Sequence, residues 1–263
     1  VKLNIENKAV VIMGGSSGIG LKAAELFLRE GAKVAVCGRS QERLDKAVET
    51  LKSIADSTHI FGMTCDVSKR EDVETFITAA GNHFGKIDVL VNNAGKSIMS
   101  HFFDITDEQW QEQINLKFFA IIYAVQAVVP FMKDQGQGRI ININATLSKE
   151  PEPHMIATAS TRAGLLNLTK SLSHELAKDR ILVNSVSLGI VKTDQWEKRR
   201  LKQKPDEDPE VFYKDLAKKR NVPLGRVGTP EEVADVILFL ASERASYVTG
   251  ANIEVSGGLS KVL

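Results

Sequence analysis

The chain of 263 residues carries 34 Lys plus Arg against 33 Asp plus Glu, with 43% hydrophobic and 25% charged residues. The balance of charge excludes a partner held by phosphate neutralisation, so no nucleic acid is expected, and the composition excludes a disordered or collagen-like chain. No stretch approaches the eighteen or so uninterrupted apolar residues of a membrane span, and the opening VKLNIENK lacks an apolar signal core, so a soluble, cytoplasmic protein with no membrane partner is expected. Cys37 and Cys65 form neither a CxxC pair nor a disulfide framework, and HExxH is missing, so no metal site is expected. The two thiols should pack as small apolar residues near strand ends.

In chain order, short β-branched runs at 8–13, 33–37, 59–65, 87–91, 138–143, 181–186 and 252–255 alternate with longer helical patterns. Runs such as VVIM and DVLV lack polar alternation, as strands covered on both faces do, and each intervening segment can hold a right-handed crossover helix. The expected fold is therefore α/β: one Rossmann-type, doubly wound domain over 1–263, with a mostly parallel seven-stranded sheet and helices on both faces. The charged segment 192–221 interrupts the rhythm and should shape a substrate lid.

After the first run comes Gly14-Gly15-Ser16-Ser17-Gly18-Ile19-Gly20, leading into a helix at 21–29. Such glycines permit a tight turn and close backbone approach to a pyrophosphate at a positive helix N-terminus, although a glycine-rich turn can also be purely structural. Further carboxyl-end positions are Cys65-Asp66-Val67 after the third run and Asn92-Asn93-Ala94-Gly95 after the fourth. At the end of the second run, Gly38 stands where NAD enzymes place an acid that binds the ribose hydroxyls. Arg39 and Ser40 follow, a pair able to bind a 2′-phosphate by charge-assisted hydrogen bonds. The alternative for Arg39 is a solvated surface residue.

These motifs, in this order from about Lys8 to Gly258, resemble the classical short-chain dehydrogenase/reductase family. The resemblance implies an oxidoreductase with its pyrophosphate on the loop Gly14, Ser16, Ser17, Gly18, Ile19 and Gly20. It also implies adenine beside Asp66 and Val67, and Asn92, Ala94 and Gly95 on the adenosine side. Ile190 and Thr193 would lie near the carboxamide and pyrophosphate, while Gln195 and Trp196 would begin the lid. With Arg39 and Ser40, the expected cofactor is NADP(H). Met13 and Leu188 replace the Thr and Pro usual at their positions.

The resemblance fails at the catalytic residues. Aligned on Arg162 to Leu172, the usual Tyr, Lys and Ser positions hold Thr158, Arg162 and Ala145, and only the helix Asn is retained, as Asn115. A Thr hydroxyl is far less acidic than a phenol, whose pKa is about 10, and a guanidinium above about 12 does not relay protons as Lys can. Arg162 can still reach ribose hydroxyls or pair an anionic substrate. His154, with an imidazole pKa of about 6.5, is the alternative acid/base; an exposed loop residue is its plain reading. Lys149, Glu150, Glu152 and His101 are weaker candidates, and Asn115 could equally bend its helix or bind water.

The sequence therefore supports two functions. The first is an NADP(H)-dependent oxidoreductase acting on a carbonyl or alcohol by an unusual proton path, with Asn115, His154, Thr158 and Arg162 as candidate catalytic residues. The second is a catalytically silent dinucleotide-binding sensor or assembly protein. A small-molecule substrate, anionic if Arg162 pairs with it, and a homodimer or homotetramer complete the expectation.

Overall fold

The computed structural model describes residues 2–262. All seven expected runs are strands: β1 (Ala9–Met13), β2 (Lys33–Gly38), β3 (Ile60–Thr64), β4 (Val89–Asn92), β5 (Gly138–Ala145), β6 (Ile181–Leu188) and β7 (Asn252–Val255). They form one sheet in the order β3-β2-β1-β4-β5-β6-β7, and every neighbouring pair is parallel. The helices are α1 (Gly18–Arg29), α2 (Gln41–Lys52), α3 (Arg70–Phe84), α4 (Asp107–Ile114), α5 (Ala120–Asp134), α6 (Ile156–Glu175), α7 (Asp194–Gln203), α8 (Pro209–Lys219) and α9 (Pro230–Ala241).

The unbroken apolar runs are explained by burial on both faces. Val10, Ile12, Val34, Val36 and Val91 join one core with Ala23, Ala24 and Phe27 of α1 and Val233 and Ile237 of α9. Val11, Ala35 and Leu90 point the other way, into a core with Phe76 and Ile77 of α3 and Ala124 and Val128 of α5. Successive strand residues thus feed opposite layers, and a side chain's parity fixes which layer it serves.

Strands β5 and β6 run two residues beyond their expected ends, with Asn144 opposite Ser187 and Ala145 opposite Leu188. Polar residues there do not end the strands because their side chains find partners: Asn144 Nδ2 donates to the Arg162 carbonyl of α6 (3.1 Å) and Ser187 Oγ to Asn252 Oδ1 of β7 (2.7 Å). Asn92 Nδ2 donates to Asn142 Oδ1 (2.8 Å), and Asn142 Nδ2 donates to Thr169 Oγ1 (3.0 Å) on α6.

One continuous helical run, Asp107–Asp134, is long and apolar enough to cross a membrane by length and composition, a feature the search for uninterrupted apolar stretches misses because Lys117 and Gln126 break it. Its inward residues Ile121, Ala124, Val125, Val128 and Met132 pack in the core beneath the sheet. Within it, a π-helical turn at Asn115–Phe119 separates α4 from α5. Lys117, in this turn, is buried and lies four residues after the buried Gln113, on the same face of the helix.

The segment 192–221 holds α7 and α8. Phe212, Tyr213 and Ala217 of α8 form a third, smaller apolar cluster with Ile190, Val222 and Val227. The strand order reverses between β1 and β4, so their carboxyl ends open a crevice at Gly14 and Asn93.

Candidate active site

A cavity of about 650 Å³ extends from this crevice to segment 192–221. At one end it is lined by Gly14, Ser16, Ser17, Gly18 and Ile19, with Arg39 and Arg43 beside them. Gly14 and Gly18 have φ of +82° and +54°, a region open to glycine, and a Cβ on Gly20 would strike the Gly14 carbonyl. Ser17 caps α1 without a side-chain hydrogen bond, leaving the helix's first N–H groups directed at the cavity. A Cβ at Gly38 would meet Ser16, so the end of β2 has no room for the acidic side chain that would discriminate against a 2′-phosphate. Glycine turn, free helix terminus and two arginines together fit a phosphorylated dinucleotide.

Several expected residues lie elsewhere. The Asn92 side chain is not on the cavity: parity turns it into the sheet toward Asn142, and Asn93 lines the cavity and donates to the Gly14 carbonyl (2.8 Å). Ser40 accepts from Arg43 N (3.4 Å) as the N-cap of α2. Gly20 backs the turn. Asp66 accepts from Ser68 N and Oγ (3.1 and 2.7 Å) behind the wall that Cys65 and Val67 form. Burial alone would raise its carboxyl, but the Ser68 bonds and nearby Arg39 hold it below the usual carboxylate range. Ala94, Gly95, Ile190 and Thr193 line the cavity as expected.

The other end is lined by Ala145, Glu152, His154, Met155, Arg162, Trp196, Arg199, Lys219 and Arg220. Arg162 is half-buried, and the burial of its guanidinium brings that group down to about 10. Its Nη1 donates to the Ile143 carbonyl, its Nη2 lies against Gly95, and its Nε has no partner among the described residues. Arg162 lines the cavity, so its guanidinium is placed to meet a ribose hydroxyl or a substrate oxygen. Arg199 lies over the Trp196 ring, 4.8 Å from its centroid. His154 is partly exposed, with Nε2 3.3 Å from Glu152, and Glu152 in turn accepts from Arg220 of the lid (2.9 Å).

Thr158 and Asn115 do not line the cavity. Asn115 begins the π-helical turn, and its Oδ1 accepts from Gln111 (2.8 Å). Thr158 is 1% exposed, its hydroxyl 3.4 Å from the Ile98 carbonyl, behind a wall made by Lys96, Ser97 and Met99. Beneath it lies a residue that motif reading passes over. Lys117, 1% exposed, donates to Thr158 Oγ1 (2.9 Å) and to Gln113 Oε1. Burial, reinforced by the Arg162 charge, pushes its ammonium down to about 6. A Lys in an otherwise apolar helix stretch is the only sequence signal, and it reads equally well as a surface charge.

The chain matches the family model described as enoyl-(acyl carrier protein) reductase over residues 14–260. It is 36% identical to a 3α-hydroxysteroid dehydrogenase from Mediterraneibacter gnavus, over 96% of this chain and 97% of that protein. It is 35% identical to a 3-oxoacyl-[acyl-carrier-protein] reductase from Thermotoga maritima, over 98% and 99%. Among solved structures, it resembles an NADPH-bound short chain oxidoreductase with an atypical catalytic center from Pseudomonas aeruginosa, at 40% identity, TM-score 0.92 and coverage of 98% and 100%. It also resembles L-sorbose reductase from Gluconobacter frateurii complexed with NADPH and L-sorbose, at 32% identity and TM-score 0.94, with both chains covered in full (100%).

Proposed function

The chain belongs to the classical short-chain dehydrogenase/reductase family of oxidoreductases, and from that premise we propose that it is an NADP(H)-dependent enzyme reducing a carbonyl or oxidising an alcohol by a proton path other than the family's usual one. The observation that carries this is the continuous cavity, with a glycine-rich cradle and Arg39 at one end and the Arg162 guanidinium at the other. The NADPH-bound relative with an atypical center, similar over nearly the whole chain, supports the same reading.

When bound, NADP(H) supplies or accepts the hydride. Gly14 to Ile19 hold the pyrophosphate, and Arg39 with Arg43 hold the 2′-phosphate. Arg162 aligns the nicotinamide ribose, leaving Ala145 and Met155 to shape the space for the substrate. Two arrangements stand where a phenol would serve the reacting oxygen: the His154 imidazole on the cavity wall, and the Thr158 hydroxyl behind it. Arg199 and Lys219 of the lid face this end, with Asp194 and the Arg220-bonded Glu152 as the acids, and they favour an anionic small-molecule substrate.

Calorimetric titration with NADPH and NADH tests the cofactor, and NADPH oxidation across neutral and anionic carbonyl compounds tests the chemistry. Selective NADPH binding with turnover is expected. Binding without turnover on any carbonyl would favour the silent sensor, and restoring Ala145→Ser, Thr158→Tyr and Arg162→Lys together would then ask whether a vestigial site regains activity.

A further inference from the structure

Two adjacent arginines of α7 face opposite ways. The Arg200 guanidinium donates to Glu197 (3.0 and 2.7 Å) and to the Glu207 carbonyl (2.8 Å), and Tyr213 donates to the same Glu197 carboxylate (3.1 Å). Arg199 lines the cavity instead, with Trp196 one turn before it and Gln203 one turn after it on the same helix face. Its guanidinium is half-buried over the Trp196 ring, and burial lowers it below the ordinary arginine range. Among the described residues, no carboxylate or carbonyl accepts a hydrogen bond from it. The acids around this end of the cavity are committed elsewhere: Glu197 to Arg200, Glu207 to Lys204, Glu210 to Lys192 and Glu152 to Arg220. Asp194 stands in the first turn of α7, more than a turn before Arg199.

A guanidinium drawn partly out of water without an anion bears a desolvation cost that nothing in the chain offsets, and the indole beneath it favours the charge staying there. An anionic ligand group would complete the site. The surroundings decide which anion. Trp196, Leu216 of α8 and Met155 give this part of the cavity apolar walls, so the anion must arrive on an apolar body. The nucleotide end gathers Arg39, Arg43 and the open first turn of α1, as a phosphate with its many acceptor oxygens requires. A single guanidinium, by contrast, presents the paired N–H groups that match a planar carboxylate.

We propose that Arg199 is the specificity-determining residue of the substrate end and binds a free carboxylate, so that the substrates are oxo acids, or the corresponding hydroxy acids, whose apolar body lies along Trp196 and Leu216. This rests on the oxidoreductase reading above and deepens it by naming the acid group and the residue that reads it. The carboxylate undergoes no chemistry; it fixes which way round the molecule enters. Lys219, exposed on α8 at the same wall, adds positive field without fixing the ligand, and Arg220 stays with Glu152.

The test uses the full chain, with and without NADPH, and the variants Arg199→Gln, Arg199→Lys and Lys219→Gln. Calorimetry with hexanoate, a carboxylate that lacks a reacting carbonyl, against hexanamide separates binding from turnover. Hexanoate is expected to bind about tenfold or more tightly than the amide. Arg199→Gln should weaken hexanoate about tenfold to a hundredfold, Arg199→Lys should recover part of that loss, and Lys219→Gln should cost about threefold or less. The NADPH Kd is expected to stay within about threefold in all three, showing that fold and cofactor site are intact. In a Trp110→Phe background, which leaves Trp196 as the sole tryptophan, hexanoate should change the indole emission, and Arg199→Gln should shift that titration to correspondingly higher ligand. With a panel of oxohexanoates and their methyl esters, kcat/KM should favour acid over ester about tenfold or more, and the ratio should fall toward parity in Arg199→Gln.

The proposal is overturned by a wild-type protein that binds hexanoate no better than hexanamide, by an acid preference that survives in Arg199→Gln, or by methyl phosphate binding as tightly as hexanoate. An equal loss of NADPH and hexanoate affinity in Arg199→Gln would assign the residue to the cofactor and overturns it too. Hexanoate held through Arg199 in a protein that reduces no carbonyl leaves the carboxylate site standing and overturns the oxidoreductase reading; turnover of ketones and oxo acids indifferent to Arg199 does the reverse.

Discussion

Arg220, which ends lid helix α8, donates through both terminal nitrogens to Glu152, in the loop that leads into α6. The pair therefore spans the mouth of the cavity, and the same carboxylate faces His154 at 3.3 Å. Glu152→Gln keeps the shape and removes the charge that makes the pairing bidentate and strong. We expect substrate KM to rise several-fold and to lose part of its salt dependence, with the NADPH Kd unchanged. Steady-state kinetics at low and high salt check this, and an unchanged KM would show that the lid closes without the pair.

Arg39→Ala should weaken NADPH about tenfold to a hundredfold, the range expected when a charge-assisted phosphate contact is lost, and should leave NADH binding nearly unchanged. Equal losses for both nucleotides would show that Arg39 does not contact the 2′-phosphate.

Asn142 is wholly buried and joins Asn92 of β4 to Thr169 of α6. Asn142→Ala leaves the buried Asn92 Nδ2 without its acceptor, removes one of the two bonds of Thr169 Oγ1 and opens a small void, for a loss of about 2–4 kcal/mol in urea unfolding. Asn142→Leu restores the volume without the bonds and should remain destabilised. Stability equal to wild type in the leucine variant would mean that the polar bridge contributes nothing.

Lys117 also makes a prediction about stability. Its native pKa is about 6, below the ordinary value of about 10.4, so between these pH values the unfolded chain binds the extra proton. Stability from this residue therefore rises with pH across that window, and the deficit is complete below about pH 6. Lys117→Met should be more stable at pH 7 by about 1–4 kcal/mol, with the gain shrinking toward pH 10. Chemical denaturation at pH 7 and pH 9.5 measures it; a gain that does not change between the two contradicts the burial of an uncharged amine.

Glu232 closes the capping box of α9 with Thr229 and pairs with Arg226, which hold its carboxyl down to about 2. A depressed carboxylate stabilises the fold above its unfolded value of about 4.3, and that contribution fades as pH falls toward 2. Glu232→Gln should lower Tm at pH 7 and flatten the acid limb between about pH 4 and 2. Because the pair is partly solvated, the change should be modest.

The seven strands could be read from composition because burial on both faces removes polar residues from Val10, Val34 and Leu90 alike, leaving a signal that survives without knowledge of neighbours. The glycine turn was equally legible, since Gly14, Gly18 and Gly20 answer backbone requirements that no other residue meets at equal ease. Asn92 and Asn93 were confused because a motif names both and only strand parity says which faces the cavity. Lys117 was hidden for a stronger reason: a lysine four residues after a glutamine reads as a polar, solvated face, and only the packed helix shows that this face is turned inward.

The lid packs on an apolar cluster of its own, Ile190, Phe212, Tyr213, Ala217, Val222 and Val227, distinct from the two layers that sandwich the sheet. Mutational drift in α7 and α8 is thereby kept out of the two layers that carry the sheet, while Ile190 and Thr193 hold the segment's contact with the nucleotide end of the cavity. A lineage can trade one substrate for another by rewriting a stretch of some thirty residues while the cofactor cradle is inherited intact. Grafting segment 192–221 from a relative of different specificity should accordingly give a chain that still folds, and the preference of the donor should travel with the graft.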